Sequence, residues 1–406
     1  MSDTNRVGLR ILEETLGSPG TRAVGAYDAV PFTGSSDLGF TPETTVSNII
    51  RSDRQVSDLV LVNGTVGGSF DTELVKGDAL NSLVSGALFA ENGSALGDQT
   101  ATVLSATGTA TASNNSSGLI INATGLGTSA VVGNVAVVRN AITPTLQAVG
   151  VILAKTADSI TLSQQSNPFG IGTFTPITRM VPTVTNSTQE RSFSMERTFR
   201  TGEGADEFFE YLDGMRVNSM SINASASSIV TSSFSFLGQN QEFATTRDTA
   251  SVTSTPAVPS FSVYNAASNV GSLNLSDNLG VFGEDNFIME ASIEINNNLR
   301  ERNALGTLGA TSIGAGEFSV TGSLNTYFSD ASLLEKLLNN QEVSLVFGFD
   351  TNVITGNQFV IHLPRVKFTE GTPDVSGKNA DVMANLSFQA LASSGPNSYT
   401  IKIGVG

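Results

Sequence analysis

The chain has no cysteine, no tryptophan, a single histidine and only 14% charged residues. Without cysteine there is neither a disulfide nor a thiolate metal site, so burial and strand pairing must hold the fold. One histidine gives a Ser-His-Asp or Cys-His arrangement a single candidate base and excludes His/Cys ligand clusters, and EF-hand spacing is missing too. No apolar run approaches the roughly 20 residues that cross a bilayer. The N-terminal MSDTNRVGLRILEETLG lacks a basic region ahead of an apolar stretch, which argues for a soluble chain made in the cytoplasm and kept off the membrane. A net charge of −16 argues against a grip on nucleic acid, because neutralising phosphates takes Lys and Arg. Solubility is the plain reading of that acidity.

What the sequence does have is alternation. Met220, Ile222 and Ala224 point one way and Ser219, Ser221 and Asn223 the other; Phe234 and Phe236 repeat this against Ser233 and Ser235. The polar positions are small Ser, Thr and Asn, suited to a close neighbouring surface. Upstream, Leu59–Val62 and Thr65–Leu74 flank Asn63-Gly64, which predicts a type I′ hairpin. Asp78 is placed to cap a helix over Ala79–Phe89 with Leu80, Leu83, Val84, Ala87 and Leu88 on one face.

From Leu96 to Pro182 the composition shifts to Thr, Ala, Ser, Gly and Asn. Leu119–Ala123, Val131–Arg139, Ala148–Ala154 and Ser159–Ser163 are candidate strands there, and the β-branched runs favour a small β-domain over a low-complexity linker. Gln239–Ser260, with Pro256 and Pro259, predicts an extended arm or long loop. Beyond it, Phe287–Asn298 and Phe318–Phe328 alternate as half-buried strands. A short helix capped at Ser329 or Asp330 follows, with Leu333, Leu334, Leu337 and Leu338 as its stripe and Asn339-Asn340 ending it. Val343–Phe349, Phe359–Leu363, Val382–Leu391 and Tyr399–Val405 complete the strands. The fold class is mainly β, with few helices.

Candidate chemistry is sparse. His362 lies between Ile361 and Leu363 on a strand, which predicts a solvent-facing or interface residue. Gly306–Gly316 lacks the strand and helix that a phosphate loop needs and reads as turns. Two acids suffice for glycoside hydrolysis, and the candidates are Asp206, Glu207 and Glu210 in a short helical turn, and Glu290 with Glu294 on one strand face. Solvated faces account for both groups, and with no Trp and 5 Tyr the chain has few platforms for sugars.

Several strings resemble the major tail tube proteins of long-tailed (siphovirus-type) bacteriophages and related prophages: IIRSDRQVSDL at Ile49–Leu59, SFSMERTF at Ser192–Phe199, GMRVNSMSI at Gly214–Ile222, SFSFLG at Ser233–Gly238, the run Asn297–Asp330, LPRVKF at Leu363–Phe368 and LSFQAL at Leu386–Leu391. The resemblance covers most of the chain outside Leu96–Pro182. It implies a β-sandwich or barrel-like tail tube core made of residues 1–95 and 183–406, interrupted by an inserted small β-domain, 96–182, on the tube exterior. It further implies a structural, non-enzymatic subunit without cofactor, whose hexameric rings stack into a tube that conducts DNA without binding it. The implied partners are the tape measure protein, the tail terminator and the tail tip or baseplate, and the implied location is the virion tail, assembled in the bacterial host cytoplasm. A long loop over Phe40–Leu59 corresponds to a bridge between subunits, so Arg51, Asp53, Arg54 and Asp58 are candidate interface contacts. Glu290 and Glu294 are candidate channel-lining residues, with an outer solvent face as the competing assignment. A bacterial surface or adhesin-like β-protein is the alternative function; it expects a secretion signal or a Gly-Asp calcium repeat, and neither is present.

Overall fold

Alternation becomes pairing in a sheet eight strands wide. A computed structural model describes residues 7–33, 36–53, 55–91, 96, 102–104, 106–115, 118–143, 147–163, 167–200, 207–254, 263–264, 266, 270–277, 280–281, 288–328, 332–350, 358–375, 377–378, 381–394 and 398–405. The main strands of the body are β1 (Gly8–Glu13), β2 (Gly39–Val46), β3 (Leu59–Glu73), β4 (Phe193–Arg200), β5 (Glu207–Ser225), β6 (Thr231–Gly238) and β7 (Asn240–Ala244). They continue as β8 (Val270–Asp277), β9 (Ile288–Asn296), β10 (Ser319–Tyr327), β11 (Val343–Asp350), β12 (Gln358–Asp374), β13 (Met383–Leu391) and β14 (Lys402–Val405). Two helices accompany them among the described residues, α1 (Asp78–Ala87) and α2 (Ser332–Leu338).

The wide sheet runs β12-β13-β10-β9-β5-β6-β3-β2, every neighbour antiparallel. Only the second halves of β5 and β12 belong to it. Their first halves pair in two sheets of four, β1-β4-β5-β7 and β8-β11-β12-β14. The two long strands thereby join a mainly β body into one hydrogen-bonded system.

The apolar side of the wide sheet and the outer sheets share one core. Phe70, Phe234, Phe236, Leu386 and Phe388 meet Phe359, Ile361 and Ile403 there. Phe70 stacks on Phe236 with ring centroids 5.5 Å apart. Each such side chain contributes about 1.5–3 kcal/mol by leaving water. Both helices close the core: Leu80, Leu83 and Val84 of α1 are buried in it, and Leu334 and Leu337 of α2 pack against it beside Gly371.

Several expectations need correction. Asn63-Gly64 forms no turn, because both residues lie inside the unbroken strand β3, and the hairpin is instead β2–β3 closed by residues 47–58. Gly64 is there for space, since a Cβ would run into the Phe40 ring. Asp78 is the first helical residue rather than a cap; Gly77 occupies the N-cap position with no side-chain hydrogen bond. The acids placed in a helical turn lie elsewhere: Glu207 and Glu210 begin β5, and Asp206 is outside the described residues. Leu338 is 82% exposed and leaves the stripe of α2. Within Gln239–Ser260, Asn240–Ala244 pairs with β5 and Val252–Ser254 with Gly25–Ala26, while 255–260 lie outside the described residues. So do Phe287, Ser329 and Asp330.

A second sheet of eight strands lies within Thr102–Val181. Its strands follow the order Thr173–Phe174, Thr107–Asn115, Gly118–Thr124, Ser159–Leu162, Gln147–Lys155, Val135–Asn140, Pro176–Val181, Thr102–Leu104. It has its own core around Leu119, Ile121, Ile152, Ile160 and Leu162. Valines fasten it to the body: Val135, Val137, Val149, Val151 and Val181 pack with Val346 of β11 and Val360 of β12.

Candidate functional site

The wide sheet presents a polar face opposite its core. Register places Ser221 beside Ser233 and Glu294, Glu294 beside Thr321, and Thr321 beside Gln389. The next row runs Thr231, Asn223, Ser292, Ser323, Ser387. Ser219 and Ser235 share a 2.7 Å hydrogen bond, as do Ser292 and Ser323. Along the same face the charged residues are Glu43 of β2, Asp71 and Glu73 of β3, Glu290 and Glu294 of β9, and Glu370 and Asp374 of β12, all acidic, together with Arg365 and Lys367 at the β12 edge, whose charges face Glu342 at 2.6 and 3.9 Å. Glu290 and Glu294 are exposed, and Glu290 accepts from Ser225 Oγ at 3.3 Å. A hollow of about 590 Å³ opens over Asn223, Thr231, Glu290, Ser292, Asn325 and Asn385. With its hydroxyls bonded across strands, this surface offers negative charge and small side chains rather than a nucleophile with a base.

The other exposed feature is the β2–β3 hairpin. At its tip Arg51 forks onto Asp53, with Nε to Oδ1 at 2.9 Å and Nη2 to Oδ2 at 2.6 Å. That hydrogen bond raises the Arg51 pKa and lowers that of Asp53. Asp58 Oδ1 accepts from its neighbour's Leu59 N–H at 2.8 Å. Arg54 lies outside the described residues. The two described charges of opposite sign at the tip are thus spent on each other.

Sequence reasoning passed over the apolar residues of this hairpin. Ile49 is 70% and Ile50 97% exposed, and Val56, Leu59, Val60, Leu61 and Val62 are also largely in water. The signal was the unbroken run Leu59-Val60-Leu61-Val62, which places apolar groups on both sides of one strand. Such a run belongs in an environment covered on both faces, and a large exposed apolar patch marks an interaction site.

The remaining titratable residues are structural. His362, expected at a solvent face or interface, is only 5% exposed within the chain. Its ring nitrogens bond Ser344 Oγ at 3.3 Å and Tyr399 O–H at 3.1 Å. Burial, with the nearby Lys402 charge, pulls its pKa down to about 3. Lys402, itself lowered to about 8 by burial, donates to the Gly133 carbonyl of the second sheet. The reason is tertiary: His362 shares a face of β12 with Val360 and lies opposite Val346, and the second sheet packs on that face. Glu210 is buried and clamped by Arg197 and Gln241. Glu196 is held by Arg10 at 3.0 Å and Arg247 at 2.8 Å, and Arg22 bridges Asp213, Glu242 and Asp248. Among the described residues no group of three or more His, Asp or Glu is placed to hold a metal, and no helix is long and apolar enough to cross a membrane.

A largely acidic, small-residue face on a wide sheet and an apolar exposed hairpin are features of a part made for assembly. No curated protein matches the chain. A family model described as phage tail tube protein matches residues 4–390, nearly its whole length. The chain belongs to the phage tail tube protein family and is a structural component of the virion tail.

Proposed function

We propose that this subunit closes edge to edge into rings of six tail tube folds, hexameric in the simplest form, and that the rings stack into a tube conducting DNA into the host. The observation that carries the reading is the polar face of the wide sheet: its charges are acidic from β2 to β13, and the two cations of its β12 edge, Arg365 and Lys367, face Glu342, as a wall that a polyanion must slide past requires. Glu290 and Glu294 line the channel. Edge-to-edge closure removes the unpaired strand edges that make open sheets prone to aggregation.

The hairpin of residues 41–62 bridges to a neighbouring subunit or ring, and its Arg51, Asp53, Arg54 and Asp58 contact that neighbour around an apolar centre of Ile49, Ile50 and Leu61. Residues 96–182 form a domain on the exterior, since bulk in the lumen would obstruct DNA. As a tail tube protein the chain assembles with other tail proteins; we assign the tape measure protein to the lumen, and the terminator and the tail tip or baseplate to the two ends. Its role is structural, and it performs no catalysis. Electron microscopy of the purified protein tests the reading: stacked rings with an open channel support it, and a monodisperse monomer under all assembly conditions contradicts it.

A further inference from the structure

The body contains the same arrangement twice. β1–β7 with α1 and β8–β14 with α2 share one order and one pairing scheme. β1 pairs with β4 as β8 pairs with β11, and β4 with β5 as β11 with β12. β5 pairs with β7 and β6 as β12 pairs with β14 and β13. β6 pairs with β3, and β3 with β2, as β13 pairs with β10, and β10 with β9. Even the irregularities coincide. Register slips between Phe193 and Met195 in β4 and between Val343 and Leu345 in β11. It slips again between Val217 and Ser219 in β5 and between Phe368 and Glu370 in β12.

Bulges are specific placements, so matched bulges in matched strands fix a residue correspondence. Under it Val66, Gly68, Ser69 and Thr72 correspond to Val320, Gly322, Ser323 and Thr326, a shared V-x-G-S-x-x-T. Thr72 and Thr326 are both buried, and each donates to the carbonyl of the following residue, at 3.0 and 2.9 Å. Gly68 and Gly322 share a reason as well. A Cβ on either would collide with a backbone carbonyl of the adjoining segment, that of Asp37 or of Ser292.

One pairing lacks its counterpart. The second half of β5 also takes β9, from Ser219 opposite Asn296 to Ser225 opposite Glu290, and there the second repeat joins the first. The equivalent pairing, the second half of β12 with β2, is not made within the chain. Among the described residues Lys367–Asp374 pairs only with β13, and β2 pairs only with β3. These are the two outer edges of the wide sheet.

We propose that they pair with each other between copies of this chain, β12 of one subunit taking β2 of the next as β5 takes β9. Transferring the internal register sets Glu370 opposite Thr41 and Thr372 opposite Gly39, and it preserves antiparallel alternation around the ring. The contact is head to tail, the kind that closes rings. Resting on the ring reading above, each chain supplies two of the six folds, so a ring contains three chains and threefold symmetry rather than six. The second sheet, Thr102–Val181, sits between α1 and β4 and has no counterpart between α2 and β11, so it decorates alternate positions.

Engineered disulfides test this directly because the chain has no cysteine of its own. The pair Thr41→Cys with Glu370→Cys, oxidised in assembled protein, is expected to give species of one, two and three chains on non-reducing gels and nothing larger. The equivalent internal pair, Ser219→Cys with Asn296→Cys, should give only single chains. Bands continuing to six chains, or tubes that form yet never cross-link, would overturn the proposal. Unmodified protein supplies a check independent of the variants: ring mass and symmetry by native mass spectrometry and electron microscopy. Three chains per ring supports the proposal, six overturns it while leaving the tube intact, and failure to form any ring removes the tube reading itself.

Discussion

Ser292 and Ser323 share a 2.7 Å hydrogen bond on the polar face of the wide sheet, between the exposed carboxylates Glu290 and Glu294 of the same strand. Neutral groups satisfy one another and the carboxylates stay in water, so the face carries charge without a built binding site. Changing Glu290 and Glu294 together to Lys should leave folding and rings intact but slow DNA ejection. The effect should be greatest at low ionic strength, where screening is weakest. Single-particle ejection assays across salt concentrations measure it; salt-independent, normal ejection would contradict the channel assignment.

The projecting hairpin makes a second prediction. Ile49→Asp with Ile50→Asp should leave the monomer within about 0.5 kcal/mol of its normal stability, as exposed substitutions do, and abolish tube growth. Arg51→Glu with Arg54→Glu should likewise keep the fold and stop growth. Sedimentation separates monomer from polymer, and denaturation checks the fold. Normal tubes from the isoleucine variant would remove the hairpin from the interface.

Acid stability should report His362. Its folded pKa, near 3, lies below the ordinary value of 6.5, so between those limits the unfolded chain binds more protons. The contribution is full above about pH 6.5 and is lost progressively as the pH falls toward 3. His362→Gln, which keeps hydrogen-bonding capacity toward Ser344 and Tyr399, should flatten the decline in denaturation midpoint between pH 6.5 and 4. An unchanged slope would show that carboxylates alone set the acid limit.

Removal of residues 96–182 is expected to be tolerated. The chain on either side already meets, with Ser187 N–H donating to the Leu88 carbonyl at 2.9 Å, so a short Gly-Ser linker can close the gap. Deletion uncovers Val346 and Val360, and the variant should melt lower yet still assemble. Loss of soluble protein, or channel density that disappears with the deletion, would contradict an exterior placement.

Strands with clean alternation, such as Thr231–Gly238 and Met383–Leu391, were legible because one face is core and the other is wet. The helix around Leu80 and Leu83 was legible from its stripe. Glu207–Tyr211 misled because Glu210 is buried by a partner distant in the fold, Arg197, a tertiary pairing that local pattern cannot carry. Asn63-Gly64 has the composition of a turn, but Gly64 makes room for Phe40 across the strand. The hairpin's apolar residues were obscured by the conspicuous charges of Arg51–Asp58. Duplication left few shared residues because pairing and bulges constrain backbone geometry far more than side-chain identity.

If the polar face of the wide sheet lines a channel, cryo-electron microscopy of assembled tubes at side-chain resolution will place Glu290 and Glu294 on the lumen wall, with residues 96–182 outside. Both carboxylates on the outer surface of the tube, or the wide sheet buried between rings, would contradict it.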